Sequence, residues 1–313
     1  MSEEPFPVVR VAHAAPEAVE PAWLVRDLWG AEAVGFIGGT PKSCKTWLAL
    51  ELAVAVASGR PCLGHYPVVE RGPVVLYAAE DSAAAIRTRV SGITRARKLD
   101  LERLAVGLIT EPSIALDRLD HQTRLLRTVR KNKAKLLILD PLVRLHHGDE
   151  NSAADTSALL AFLRHLQRET HTAIAVVHHI RKSGSATQPG QGRRGSGDLH
   201  AWSDSNLFVL HGQDGLELHS EHRNHPAPDP LALRLERDPP HLVVAPMEQG
   251  GEPDEVASRV VEALANGPLG RTELRSRVRI RNERLGQILE DLTSARRVAR
   301  DAEGRWCVPR SGD

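Results

Sequence analysis

Cysteine is scarce. Cys44, Cys62 and Cys307 are the three in 313 residues, an odd and scattered set. No C-x-x-C pair occurs, which argues against a disulfide framework and against a zinc site built on cysteine. Aromatic residues make up only 4%, which disfavours a surface that stacks single-stranded bases on Phe and Tyr. No uncharged apolar run reaches bilayer-spanning length, so no membrane partner is expected. The opening MSEEPFPVV is acidic and lacks the apolar core of a secretory signal. A soluble, reducing, cytoplasmic setting is the expectation. A dominant charge is missing too: 41 Lys+Arg against 40 Asp+Glu leaves +1. Local imbalance still leaves a nucleic-acid partner open.

What is present is material for a core. The chain is 41% hydrophobic, enough to exclude wholesale disorder, and its length suggests two domains. Residues 1–20 are rich in Pro, Ala and Glu and read as a loose arm. Apolar runs then alternate with helical patterns. AVGFIGG, GPVVLYAAED, LAVGLI, KLLILD and TAIAVVHHI read as strands. KTWLALELAVAVASG, SAAAIRTRVSGITRARKL, LDHQTRLLRTVRKNK and SALLAFLRHLQRET read as helices. Continuous apolar strands separated by helices indicate a parallel sheet covered on both faces. From Leu216 to Ala245 the period changes to alternation, which predicts antiparallel strands extending that sheet. The expected fold is α/β, with a first domain over 21–246, a linker at 247–253 and a small domain over 254–313.

Between the first strand and helix lies GGTPKSCKTW, which nearly matches the phosphate-loop spacing G-x-x-x-x-G-K-[ST]. Gly39, Lys45 and Thr46 fall in place, and Cys44 occupies the second glycine position. In such a loop, backbone N–H groups and the helix N-terminus meet phosphate oxygens. Lys45 would reach the β- and γ-phosphates of ATP, and the Thr46 hydroxyl would bind Mg²⁺. The nucleotide cradle expected is Gly39, Thr40, Pro41, Lys42, Ser43, Cys44, Lys45, Thr46 and Trp47, with Lys42 a solvated member. Asp140 ends the strand KLLILD at the edge that faces a ligand crevice. It fits a second Mg²⁺ ligand, and taken alone fits equally a cap before Pro141. Glu80 ends VVLYAAED and could orient an attacking water, while Asp81 reads as the cap of the next helix. His178 and His179 follow a buried strand, where one of them could contact the γ-phosphate.

In this order GGTPKSCKTWLAL, VVLYAAED, LLILDPLVRLHHGDEN, VVHHIRK and RRGSGDLHAWSD resemble the RepA-type branch of RecA-like ATPases, over roughly residues 21–245. That branch includes the hexameric replicative helicase of mobilizable plasmids and bacterial AAA-domain proteins. The resemblance implies a RecA-like core whose VVHH strand lies between the phosphate-loop strand and the Asp140 strand. It implies phosphate and Mg²⁺ roles for Lys45 and Thr46, water activation by Glu80, Mg²⁺ binding by Asp140 and γ-phosphate sensing by His178 or His179. Arg194 matches the arginine finger, with Arg193 beside it as the alternative. The loop Arg181–Asp198 would face a ring channel and touch single-stranded DNA. Cys44 departs from the pattern and is read as a tolerated substitution, because lysine, threonine, aspartate and glutamate all remain.

His219, His222 and His225 have ligand-like spacing, but no carboxylate or cysteine completes a zinc site. The last sixty residues read as three helices and a hairpin, resembling a winged helix. Thr272 is the expected cap of the second helix, and Leu285, Ile288, Leu289 and Leu292 form the inner face of the third. From Arg271 to Arg300 nine arginines stand against four acids, a concentration suited to duplex DNA phosphates, or to a protein partner. The expectation is an ATP-hydrolysing ring motor, a hexamer acting on DNA in replication as a helicase. The alternative is a nucleotide-dependent DNA-binding regulator or recombination accessory without unwinding activity. A weakened scaffold is a third reading, resting on Cys44 alone.

Overall fold

A computed structural model describes residues 8–13, 22–146, 153–179, 201–212, 215–245, 253–265, 267–278, 280, 282–301 and 303–309. A nine-stranded sheet organises the larger part, in the order β11-β10-β9-β8-β3-β7-β6-β4-β5. Its strands are β3 (Val34–Gly39), β4 (Val74–Ala78), β5 (Val106–Ile109), β6 (Leu136–Asp140), β7 (Ala173–His179), β8 (Ser205–Gly212), β9 (Gly215–His222), β10 (Leu231–Arg237) and β11 (Pro240–Val244). Neighbours from β8 to β5 pair in parallel. The neighbours from β8 to β11 pair antiparallel. The strand reading therefore holds, including the switch from parallel to antiparallel. The sequence reading had no separate strand for β8, nor for the small hairpin of β1 (Trp23–Val25) and β2 (Trp29–Gly30).

Helices α1 (Lys45–Ser58), α2 (Ala83–Ala96), α3 (Leu119–Asn132) and α4 (Ala153–Thr170) cover the sheet. One apolar cluster joins α1 and α2 to inward residues such as Ile37, Leu76, Ile138 and Val177. A second joins Leu125 and Val129 of α3 and Leu163 of α4 to Val34, Val75, Leu137 and Val176. Adjacent strand residues enter opposite clusters, as a period of two requires. Helix α1 is buried nearly all round. It stops at Gly59, whose left-handed φ of 75° lets its N–H bond the Ala55 carbonyl. Besides Lys45 at its start, α1 buries one more charged residue, Glu51, which pairs with Arg97 and accepts from the Leu242 N–H at 3.0 Å. A buried carboxylate requires such partners. This one ties α1 to the end of α2 and to β11.

The tail forms α5 (Pro253–Ala265), α6 (Arg271–Val278), α7 (Asn282–Ser294) and a ribbon of β12 (Ala299–Arg300) with β13 (Trp306–Cys307). Its own cluster contains Val256, Val260, Leu274, Leu285, Ile288, Leu289, Leu292 and Trp306, so the predicted inner face of the third helix is buried. Thr272 is not the cap. Helix α6 already includes Arg271, and the Leu274 N–H bonds the Gly270 carbonyl. Arg275 reaches out of the tail to Asp229 at 2.6 Å.

Candidate functional site

The parallel order places β7 between β3 and β6, with Gly38 opposite His178 and Gly39 opposite His179. The carboxyl ends of these strands bring the phosphate-type loop, Asp140 and the two histidines to one edge. Glu80 joins from β4, because Ala78 pairs with Asp140 and the Ala79 N–H bonds the Asp140 carbonyl at 2.8 Å. This is the crevice position at which open α/β sheets bind ligands.

The loop explains its own composition. A Cβ at Gly39 would lie 2.3 Å from the Val209 carbonyl oxygen and 2.5 Å from Ser43 Oγ, so glycine is required there. Lys42 and Cys44 both adopt left-handed backbone with φ of 64°. At Cys44, the residue before α1, ψ is 23°. The position that ordinarily carries glycine is thus one that needs positive φ, and cysteine occupies it at a cost of about 1–2 kcal/mol. The Cys44 side chain packs with Trp47 against the main apolar cluster. Burial holds its thiol above the usual range, opposed by the Lys45 charge. Neutral and turned to the core, it brings no charge to repel an anion.

Lys45 is 5% exposed, and its ammonium donates to the Thr40 carbonyl at 2.8 Å. Burial lowers its proton affinity, while Asp140 opposes that shift. The Thr46 hydroxyl donates to Asp140 Oδ2 at 2.8 Å. Burial pushes the Asp140 carboxyl up to about 6; the Thr46 hydrogen bond and Lys45 counteract, whereas Asp81 and Glu80 add to the rise. Thr40 Oγ1 and Ser43 Oγ are buried without a partner, as is His178 Nδ1. Burial depresses His178 to about 4, with His179 and the Lys45 ammonium adding to the effect. His178 is therefore a neutral imidazole, packed 6.0 Å from the Phe36 ring.

Asp81 does not cap α2. Ser82 does, accepting from the Ala85 N–H at 3.1 Å. Asp81 instead takes two hydrogen bonds from Arg89, at 2.6 and 3.0 Å, and Arg89 lies over the Trp47 ring at 5.8 Å. Glu80 accepts from Arg144 Nε at 3.1 Å. Sequence reasoning missed both arginines. Arg144 stands four residues beyond Asp140, and only the β4–β6 pairing brings it to Glu80. Arg193, Arg194 and the whole of the Arg181–Asp198 loop lie outside the described residues.

The histidine triplet is not brought together as a metal site. Alternation along β9 sends His219 and His222 to opposite faces. His219 meets Glu217 at 3.1 Å, and His222 packs edge-on against Trp23 at 5.0 Å. Among the described residues no group of three or more His, Cys, Asp and Glu could hold a metal ion. None of their helices is long and apolar enough to cross a membrane.

Many solved structures are similar in fold, among them these two. One is described as an ATPase domain: 16% identity, 69% of this chain and 85% of that one, TM-score 0.52. Another is a DnaB-like replicative helicase described with its interactions with primase: 16% identity, 68% of this chain and 57% of that one, TM-score 0.51. A sequence comparison with curated proteins gives no match. An AAA domain family model matches residues 2–185. That span exceeds half of the chain and contains the loop, Glu80, Asp140 and both histidines, so the chain belongs to this AAA domain family, with the RecA-like core of P-loop ATPases.

Proposed function

We propose that the chain binds ATP with Mg²⁺ at the carboxyl edge of β3 and β6, hydrolyses it, and acts on DNA as a ring-forming motor. The observation that carries this reading is the Thr46–Asp140 contact at 2.8 Å, beside a buried lysine and two buried loop hydroxyls without partners. Buried polar atoms are ordinarily satisfied, and phosphate oxygens are acceptors of the kind these donors lack. The oxygen set of Thr46 and Asp140 fits a hard divalent cation. Those two residues would hold Mg²⁺, which when bound supplies positive charge to the phosphate oxygens.

The chain's own residues divide the remaining work. The loop N–H groups and the α1 N-terminus bind phosphate. The Lys45 ammonium exchanges its Thr40 carbonyl contact for a phosphate oxygen. Glu80 orients a water and accepts its proton at the carboxylate. His178, neutral, offers a hydrogen bond at the γ-phosphate, with His179 as the neighbouring candidate. Arg194 from an adjacent subunit supplies a cation to the transferring group.

The specific version is a RepA-like hexameric replicative helicase in the cytoplasm. Its ATPase domain is residues 21–246, after an arm at 1–20 and before a linker at 247–253. Residues 254–313 form a winged-helix-like domain. Single-stranded DNA would run through the ring, and duplex DNA would meet the tail. The RecA-like fold and the arginine-rich tail support this version. It is tested by ATP hydrolysis with and without single-stranded DNA, alongside strand displacement. Hydrolysis stimulated by DNA with displacement is the expected result. Stimulated hydrolysis without displacement would leave a DNA-binding regulator, and no hydrolysis at all would overturn the reading.

A further inference from the structure

Three carboxylates gather at the candidate site, and each has its own partner. Asp140 meets Thr46, and Asp81 is gripped twice by Arg89. Glu80 is held once, by Arg144 Nε on Oε1 at 3.1 Å. The first two partners come from helices. Arg144 comes from a short 3₁₀ turn, Leu142–Arg144, directly after Asp140.

That turn is fixed on both flanks. Leu142 and Leu145 are buried, the Arg144 N–H bonds the Pro141 carbonyl at 3.1 Å, and the Leu145 carbonyl accepts from the Leu116 N–H at 2.6 Å. Glu80 follows Ala79, whose N–H bonds the Asp140 carbonyl. The backbones that carry acid and arginine are therefore both tied to Asp140, and their separation is set by the sheet.

The pair is open to water, with side chains 61% and 48% exposed for Arg144 and Glu80. Such pairs contribute little to stability, about 0–1 kcal/mol. Its geometry has a different consequence. The single contact occupies Oε1, so a second carboxylate oxygen can meet a water. It also offsets one negative charge among three.

We propose that Arg144 is a positioning residue for Glu80, fixing the carboxylate by Oε1 so that Oε2 faces the attacking water. This rests on the reading of Glu80 as the base for hydrolysis. Arg144 touches neither nucleotide nor water and acts through Glu80.

The test uses full-length protein with Mg²⁺ and ATP, in steady-state and single-turnover hydrolysis. Arg144→Ala should lower kcat by about tenfold or more, a part of what a general base contributes, with KM changed by less than about threefold. Its Tm should stay within about 2 °C of the parent, because only an exposed pair is removed. Arg144→Lys should recover part of kcat by restoring the charge. In a Glu80→Gln background, Arg144→Ala should cost less than about twofold, since the residue through which it acts is gone. If Glu80→Gln loses hydrolysis but Arg144→Ala keeps it, the proposal fails and the reading of Glu80 stands. An undiminished Arg144→Ala effect in the Glu80→Gln background also overturns it. Parent-level hydrolysis by Glu80→Gln itself would overturn the role of Glu80 and the proposal together.

Discussion

Thr46 Oγ1 lies 2.8 Å from Asp140 Oδ2, across 94 residues of sequence. Strand order makes the contact: β7 alone separates the strand that feeds Thr46 from the strand that ends at Asp140. The hydroxyl and carboxylate that would share a divalent cation already touch. The Lys45 charge acts on both Asp140 and His178, lowering the proton affinity of each.

Cys44 stores backbone strain at the loop. Cys44→Gly should raise unfolding stability by about 1 kcal/mol, because glycine takes positive φ without the Cβ penalty. Part of that gain is offset by the greater freedom of glycine in the unfolded chain. Hydrolysis by Cys44→Gly should stay within about tenfold of the parent, roughly 1.4 kcal/mol of barrier. Urea denaturation and steady-state ATPase assays check the two effects. A stability loss of similar size would show that the Cys44 packing outweighs its strain.

His178 should make the protein sensitive to acid. Its folded-state pKa, about 4, lies below the ordinary histidine value. Between those values the unfolded chain binds more protons than the folded one, so stability falls as pH drops from about 6.5 toward 4. His178→Gln removes that contribution. Urea titrations at pH 7 and pH 5 should show a smaller loss for the variant than for the parent. Equal losses would contradict a buried neutral imidazole.

Much of this was legible in the sequence because it is local. Apolar runs fixed the buried strands, and GGTPKSCKT fixed the strand–loop–helix unit. The strand β8 escaped notice because its pairing with β3 is made across a long separation, and it opens on the polar residues Ser205 and Asn206. Asn206 is there to accept from the Phe36 N–H at 3.0 Å, an interaction no local pattern announces. Asp81 misled for the related reason that its partner, Arg89, is two helical turns away, while its neighbour Ser82 was free to cap. Glu80 and Asp140 were read from strand ends, and both do lie at the carboxyl edge of the sheet. Arg144 was not, because its meaning depends on β4 lying beside β6.

The tail should bind duplex DNA through its basic surface. Arg277, Arg296 and Arg297 are exposed, whereas Arg275 is committed to Asp229 and Arg300 lies over Trp306 at 4.7 Å. The side chains of Arg281 and Arg284 fall outside the described residues. Full-length protein should lose duplex affinity as salt rises, through counterion release. Arg277, Arg296 and Arg297 changed together to Ala should weaken binding and flatten the salt slope by about 0.9 for each phosphate no longer neutralised. Salt-independent or unaltered binding would assign the tail to a protein partner.

Arg194 tests the shared site. Arg194→Ala and Glu80→Ala should each bind ATP and hydrolyse it poorly, since an arginine finger contributes on the order of 10³–10⁵ in rate. Mixed assemblies of the two variants pair an intact Glu80 with an intact Arg194 at some interfaces, so part of the activity should return. Full activity of Arg194→Ala alone would rule out a finger at that position.

Equilibrium binding of Mg²⁺–ATP to the parent, Lys45→Ala and Cys44→Gly proteins asks most directly whether this cysteine-bearing loop is a working nucleotide site. The parent and Cys44→Gly should bind, with affinities within about tenfold, or roughly 1.4 kcal/mol, and Lys45→Ala should bind far more weakly. A parent that binds no ATP, with binding restored by Cys44→Gly, would identify a decayed site and contradict the account.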